Sequence, residues 1–291
     1  MTILAIAQAC ANRLQLTSPT TFIGSTDNNM IMLKSMIEVA INEIKDDFPW
    51  PELVREYTFT LATSTDSYAF PGDYDRRMNL SLWNRSQKWP LMGPIDAVEW
   101  QLYKSGLITT FPRQRFRVKG SGTSQFFIDP TPSSSENGQT CVYEYVSTNA
   151  VRPKTWIAST SWAGLRYSWY NGNYYDRGGV GAATTGTIAP THTSGSVSDG
   201  SISWTYINTP YAFTYDSDEV ILDNVMIQDG AIWRFKLERG LDFQDLKAQA
   251  LDQIETTKTK LMGAGVLTVN NRMMGAPLIG FWSYPEGNFG I

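Results

Sequence analysis

Apolar residues recur at helical spacing near both ends of this chain and at alternate positions through its middle. Leu4, Ala7, Ala11 and Leu14 share one face of a helix predicted over residues 3–14, which Thr17, Ser18 and Pro19 stop. A second helix starts near STDNN, where Ser25, Thr26 or Asp27 supplies the cap. It carries Leu33, Met36, Ile37, Ala40, Ile41 and Ile44 and ends at DDFPWP. From Glu56 the period changes to two, through EYTFTL, DSYAFP, RFRVKG, SQFFIDP and TCVYEYVS, which predicts an antiparallel β region. Helical spacing returns at Asp218, with Gly240 as its C-terminal cap, and again through DFQDLKAQALDQIETTKTKLMGAG.

Two helices before and two after enclose the β region, so the predicted fold is α+β: a helical bundle formed by the N- and C-terminal helices, with the antiparallel β region as an insertion. A small all-β insertion module and an extended C-terminal tail complete it. The domain boundaries expected are 1–153 with 208–265 for the core, 154–207 for the module and 266–291 for the tail. That tail has only Arg272 and Glu286 as charged side chains. Its Leu278, Ile279, Phe281, Trp282, Tyr284 and Phe289 would make a poor free terminus in water, and they are the expected docking anchors.

Residues 154–206 hold Trp156, Trp162, Trp169 and Trp204. Linkers are depleted in such side chains, so a small β module is expected there. WYNGNYY places Asn-Gly between aromatic strand residues, a strong hairpin signal, and SDGSISWTYI reads as a turn followed by an alternating strand. The glycine- and threonine-rich stretch between them carries the chain's single histidine, His192. A general base needs an orienting partner and a metal needs further ligands; with no second histidine, His192 reads as a structural turn residue.

Composition narrows the function classes. Charged residues are 18% and aromatic residues 13% of the chain, with ten tryptophans, which suits a surface partly covered by partners. The net charge of -4 argues against a whole-molecule trap for nucleic acid. A local stripe stands out: Arg113, Arg115, Arg117 and Lys119 alternate, so a strand would project all four to one face, against an acidic partner, DNA phosphates or solvent. Asp216, Asp218, Glu219, Asp223 and Asp229 supply the opposite sign, either as helix-start charges or as a non-adhesive lining for a DNA channel. Cys10 and Cys141 lie far apart with no metal-ligand spacing and read as free thiols. The N-terminus lacks a secretion-signal pattern and no run approaches the roughly 18 apolar residues of a membrane span, so a soluble protein made in the cytosol is expected. No P-loop, GxSxG, HExxH or Rossmann fingerprint occurs, and the pair Asp46 and Asp47 has no acid/base setting. No enzymatic activity, cofactor or metal is expected.

Two resemblances sharpen the picture. The pattern of tryptophans, YNGNYY and APTHTSGSVSDGSISWTYI in residues 154–207 resembles a recurrent module of phage structural proteins and is similar to the small aromatic carbohydrate-binding modules of chitinases. Trp50 with Pro51, Tyr68 to Arg76, Trp83 to Arg85, Pro90 to Pro94, and Glu99 with Trp100 resemble the head-to-tail adaptors of tailed phages, the tail tubular protein A group. That resemblance spans residues 1–150 and resumes at 208–291. It implies a virion protein at the head–tail interface, a ring typically of about twelve copies between the portal protein and the tail nozzle protein, with the C-terminal tail gripping the portal. Double-stranded DNA would pass through the ring, during ejection included, without sequence-specific binding, and tail fibres are a further candidate partner. The alternative expectation is a glycan-binding tail component, in which Trp169, Tyr174 and Tyr175 form a stacking platform for sugar rings.

Overall fold

Side-chain oxygens set where the helices begin. The computed structural model describes residues 1–78, 80–106, 114–120, 125–207 and 209–262. Thr2 accepts from the Ala5 N–H and starts α1 (Ile3–Arg13). Asp27 accepts from the Asn29 N–H and starts α2 (Asn28–Asp47). Asp96 does the same for α3 (Ala97–Lys104), and Asp223 accepts from Val225 and Met226 to start α4 (Asn224–Glu238). Each such cap contributes about 1 kcal/mol. Gly240, left-handed at φ +66°, follows the end of α4, and α5 (Gln244–Met262) comes next.

The described residues fall into two compact units. The first draws on Met1–Tyr57, Phe70–Met78 and Glu144–Thr256, the second on Thr58–Ala69, Asn79–Tyr143 and Thr257–Ile291. Strands β1 (Val54–Thr60) and β8 (Thr140–Ser147) run through the division.

In the first unit, α1 and α2 pack on α4. Ile3, Ile6, Leu33, Ile37, Ile227 and Phe235 are among the side chains closing that core. Fully burying one of these aliphatic residues stabilises by roughly 1.5–3 kcal/mol. Trp50, at the end of α2, donates its indole N–H to the Ile44 carbonyl at 2.5 Å and so finishes the helix. Here β3 (Tyr74–Arg77) pairs with the second half of β8. A two-stranded ribbon joins β9 (Val151–Arg152) to β14 (Glu219–Val220). A separate four-stranded antiparallel sheet runs in the order β10 (Tyr167–Tyr170), β11 (Asn173–Asp176), β13 (Ile202–Ile207), β12 (Ser196–Asp199). Asn171 and Gly172, both at positive φ, turn β10 into β11, as the Asn-Gly pair requires. Trp156, Trp162, Tyr175, Ile202 and Trp204 fill the core beneath that sheet.

In the second unit, β2 (Ser67–Ala69), β7 (Gln125–Asp129) and β6 (Arg115–Lys119) form a three-stranded sheet with β7 central. Phe59, Phe116, Phe126 and Tyr143 pack edge-on or tilted around Phe126 and Phe59. The hairpin of β4 (Trp83–Asn84) and β5 (Trp89–Pro90) pairs with the first half of β8.

The bundle expected from the sequence does not form. Among the described residues the architecture is mixed, set by antiparallel sheets of five, four, three and two strands with five helices distributed among them. Three local causes account for the difference. The segment from Asp218 begins with strand β14, because Glu219 and Val220 pair with Arg152 and Val151, and the helix waits for the Asp223 cap. α5 buries only Ala250, so it lacks the continuous apolar face that a bundle helix needs. α3 belongs to the β-rich second unit. No helix among the described residues is long and apolar enough to cross a membrane.

Candidate functional site

The five carboxylates read as helix-start charges or as a channel lining are each engaged with nearby groups. Asp216 accepts from the backbone N–H groups of Phe22 and Ile23, at 3.1 and 2.6 Å, and holds the turn after α1. Glu219 pairs with Arg152 at 2.8 Å, and Asp229 with Arg13 at 2.6 Å. Asp223 caps α4. Asp218 is fully buried; its Oδ2 accepts from Thr214 N–H, Tyr215 N–H and the Tyr211 hydroxyl, while its Oδ1 has no hydrogen-bond partner.

Burial pushes the Asp218 carboxyl above the usual aspartate range, against the opposing pull of its hydrogen bonds. Its folded pKa therefore lies above its unfolded value. The stability it contributes is full below the unfolded pKa and is lost as pH rises through the folded one. Comparing melting temperatures of the wild type and Asp218→Asn from about pH 3 to pH 7 will show the wild type losing ground to the variant as pH rises from about 4. Parallel profiles would contradict this.

The basic strand is only partly free. Arg113 lies outside the described residues. Arg115 is buried on β6, with its guanidinium 3.4 Å from the Tyr103 ring centroid and 3.2 Å from Asp129. Arg117 is half-buried and Lys119 exposed, with the Lys119 ammonium 4.0 Å from the Phe127 ring centroid. The register pairs Arg115, Arg117 and Lys119 with Asp129, Phe127 and Gln125, so the three cations do share one face.

The aromatic trio is divided. Trp169 is half-buried under the Arg152 guanidinium at 4.7 Å. Tyr174 is buried and donates its hydroxyl to the Val151 carbonyl. Tyr175 is fully buried, its hydroxyl donating to the His192 carbonyl and its ring 5.0 Å from the imidazole. As neighbours on β11, Tyr174 and Tyr175 point to opposite faces and do not form one flat platform. His192 thus helps to cover Tyr175. Its two ring nitrogens are enclosed without hydrogen-bond partners.

Sequence reasoning assigned no role to two carboxylates that organise the first unit, Asp199 and Asp73, the second of which lies within the Tyr68 to Arg76 motif. Asp199 is 4% exposed, and its Oδ2 accepts from the indole N–H groups of both Trp156 and Trp204, at 2.9 and 3.4 Å. The signal was present: Asp199 is the single charge at 179–207 besides the chain's single histidine. Asp73 accepts from the Tyr145 hydroxyl at 2.8 Å, the Ser147 hydroxyl at 2.6 Å and Arg55 at 3.1 Å.

A cavity of about 410 Å³ opens between α2, α4 and α5, lined by Glu43, Asp47, Trp233, Arg234, Lys247 and Ile254, among others. Arg234 donates to the Gly230 carbonyl at 2.7 Å and pairs with Glu43; burial lowers its pKa to about 10, which leaves it charged at neutral pH. Its charge is thus committed to α2 and its own helix. Among the described residues no cluster of three or more His, Cys, Asp or Glu could hold a metal. Cys10 and Cys141 are buried free thiols, each pushed up to about 12 by burial.

The residues that carry the adaptor resemblance occupy structural positions. Trp50 and Trp100 are buried, and Asn84 donates to Gln139 at 2.7 Å. Gly93 has φ +140°, and a Cβ there would lie 2.4 Å from the Phe116 carbonyl oxygen, so only glycine fits. The tail anchors Leu278, Ile279, Phe281, Trp282, Tyr284 and Phe289 lie outside the described residues. No model of a known protein family matches the chain, and no curated protein matches it.

Proposed function

We propose that the chain is a structural protein of a phage virion, assembling as a ring that joins the portal of the head to the tail nozzle around the DNA channel. The observation that supports this reading is the placement of the adaptor-like residues: Trp50 closes a helix, Asp73 and Asn84 knit strands together, Gly93 permits a close backbone approach and Trp100 is buried. A resemblance carried by such residues is a resemblance of scaffold, and a ring subunit is a scaffold. The carboxylates first suspected of functional chemistry hold loops, cap a helix or pair with arginine, which suits a protein whose work is mechanical.

On this reading Phe281, Trp282 and Tyr284 are the portal anchors, since buried aromatics dominate interface energetics. Each anchor acts once per subunit, so a modest gain is multiplied around the ring. A chain ending at Gly265 is expected to lose at least about 100-fold in apparent affinity for the portal ring while keeping the circular dichroism of the full chain. Equal retention of full-length and shortened chains on immobilised portal would exclude the tail as the docking element.

A further inference from the structure

Resting on the ring reading, we infer that the α3–β6–β7 face of each copy touches the phosphodiester backbone of the double-stranded DNA that the ring surrounds. The face belongs wholly to the second unit. Arg115, Arg117 and Lys119 project from one side of β6, opposite Asp129, Phe127 and Gln125 of β7. Trp100, Tyr103 and Lys104 of α3 approach that same side. The acids of these elements are already committed. Asp129 is shared by Arg115 and Lys104, at 3.2 and 2.9 Å. Asp96 caps α3, and Glu99 accepts from the Tyr103 hydroxyl at 3.1 Å. Arg117 and Lys119 pair with no carboxylate among the described residues. The outer half of β6 therefore carries two unbalanced positive charges in a chain whose net charge is -4.

Aromatic rings hold Lys119 in place. Its ammonium stands 4.0 Å from the Phe127 ring centroid and 5.7 Å from that of Trp100. A ring quadrupole attracts a cation without supplying a counter-charge, so the ammonium is positioned but not neutralised. Lys119 is exposed and Arg117 half-buried, so both can reach a ligand outside the sheet. Their spacing suits a chain of phosphates: alternate strand residues recur about every 6.8 Å, twice the roughly 3.4 Å axial step between phosphates of one DNA strand. Contacts to phosphate alone carry no sequence information and let a duplex slide, which suits DNA in transit. The competing account is that the charges guard an edge, because β6 lies at the edge of its sheet. A guard needs no affinity for DNA, and that difference can be measured.

The test measures binding of the full-length chain to labelled double-stranded DNA of two unrelated sequences across a salt series, with and without the portal ring. Arg117→Gln with Lys119→Gln is compared with Lys88→Gln with Lys260→Gln, which removes two exposed cations elsewhere. The wild type and this control are expected to bind both sequences equally well. The paired β6 variant is expected to lose at least about tenfold in affinity at about 50 mM salt, and its plot of log affinity against log salt should be shallower by about 1.8 for each chain in contact. Lys119→Gln alone, at an exposed position, should show about half of that change in slope and keeps the test informative if the paired variant does not fold. A wild type with no measurable affinity for DNA at low salt overturns the inference, as does an equal loss in the control, which would mean that total charge governs binding. If the paired variant keeps its DNA affinity but no longer joins the portal, the face belongs to a protein contact and the inference fails while the ring reading stands. If the wild type never joins the portal but its DNA binding depends on Arg117 and Lys119, the phosphate contact stands and the ring reading falls.

Discussion

Asp199→Ala is expected to melt the four-stranded aromatic module. The substitution leaves the indole N–H groups of Trp156 and Trp204 without acceptors inside a core that also holds Trp162, Tyr175 and Ile202. A buried donor deprived of its partner costs roughly 1–3 kcal/mol, so two together cost about 2–6 kcal/mol before the small cavity is counted. Near-ultraviolet circular dichroism and tryptophan fluorescence will report the loss, because Trp162 and Trp204 pack edge to face at 5.7 Å. Asp199→Asn, which keeps an acceptor oxygen, should lose about half as much. A melting profile of Asp199→Ala that overlays the wild type would refute the assigned role.

Asp73→Ala is expected to be comparably severe. Asp73 is 7% exposed and receives hydrogen bonds from Tyr145, Ser147 and Arg55. Its removal strands the Arg55 guanidinium, whose other contacts are the Gly172 carbonyl at 2.6 Å and the Tyr174 ring at 5.6 Å. Breaking one side of a buried charged network costs about 3–5 kcal/mol. Chemical denaturation read by far-ultraviolet circular dichroism will show the midpoint fall; removing Arg55 in the same chain should then add little, because the two act through one network. Additive losses would mean that the network is not a unit.

Much of the local structure was legible in the chain because it depends on neighbours in sequence. The Asn171–Gly172 turn, the cap at the start of α2, which falls to Asp27, and the position of Gly240 after α4 each follow from the preferences of one or two residues. Where a residue's partner lies far along the chain, the reading weakened. Glu219 and Val220 carry helical spacing, yet their pairing with Val151 and Arg152 decides that they form a strand. Tyr174 and Tyr175 read as an exposed platform because period two cannot say which side of a strand is covered on both faces. The roles of Asp199 and Asp73 went unread for the same reason: the indoles, hydroxyls and guanidinium that claim them lie elsewhere in the sequence, except for Trp204, five residues after Asp199.

The architecture failed at a different level. Periodicity located the helical segments but not their partners, and a bundle was inferred from order along the chain alone. α5 illustrates the gap, since among its apolar positions only Ala250 is buried.

The ring itself is tested most directly by the native mass of the purified full-length chain, measured alone and after mixing with its portal ring. The expected result is one complex whose mass equals the portal ring plus a fixed whole number of copies of the 32.6 kDa chain. A chain that stays monomeric in the presence of the portal, with the portal mass unchanged, would contradict the adaptor reading.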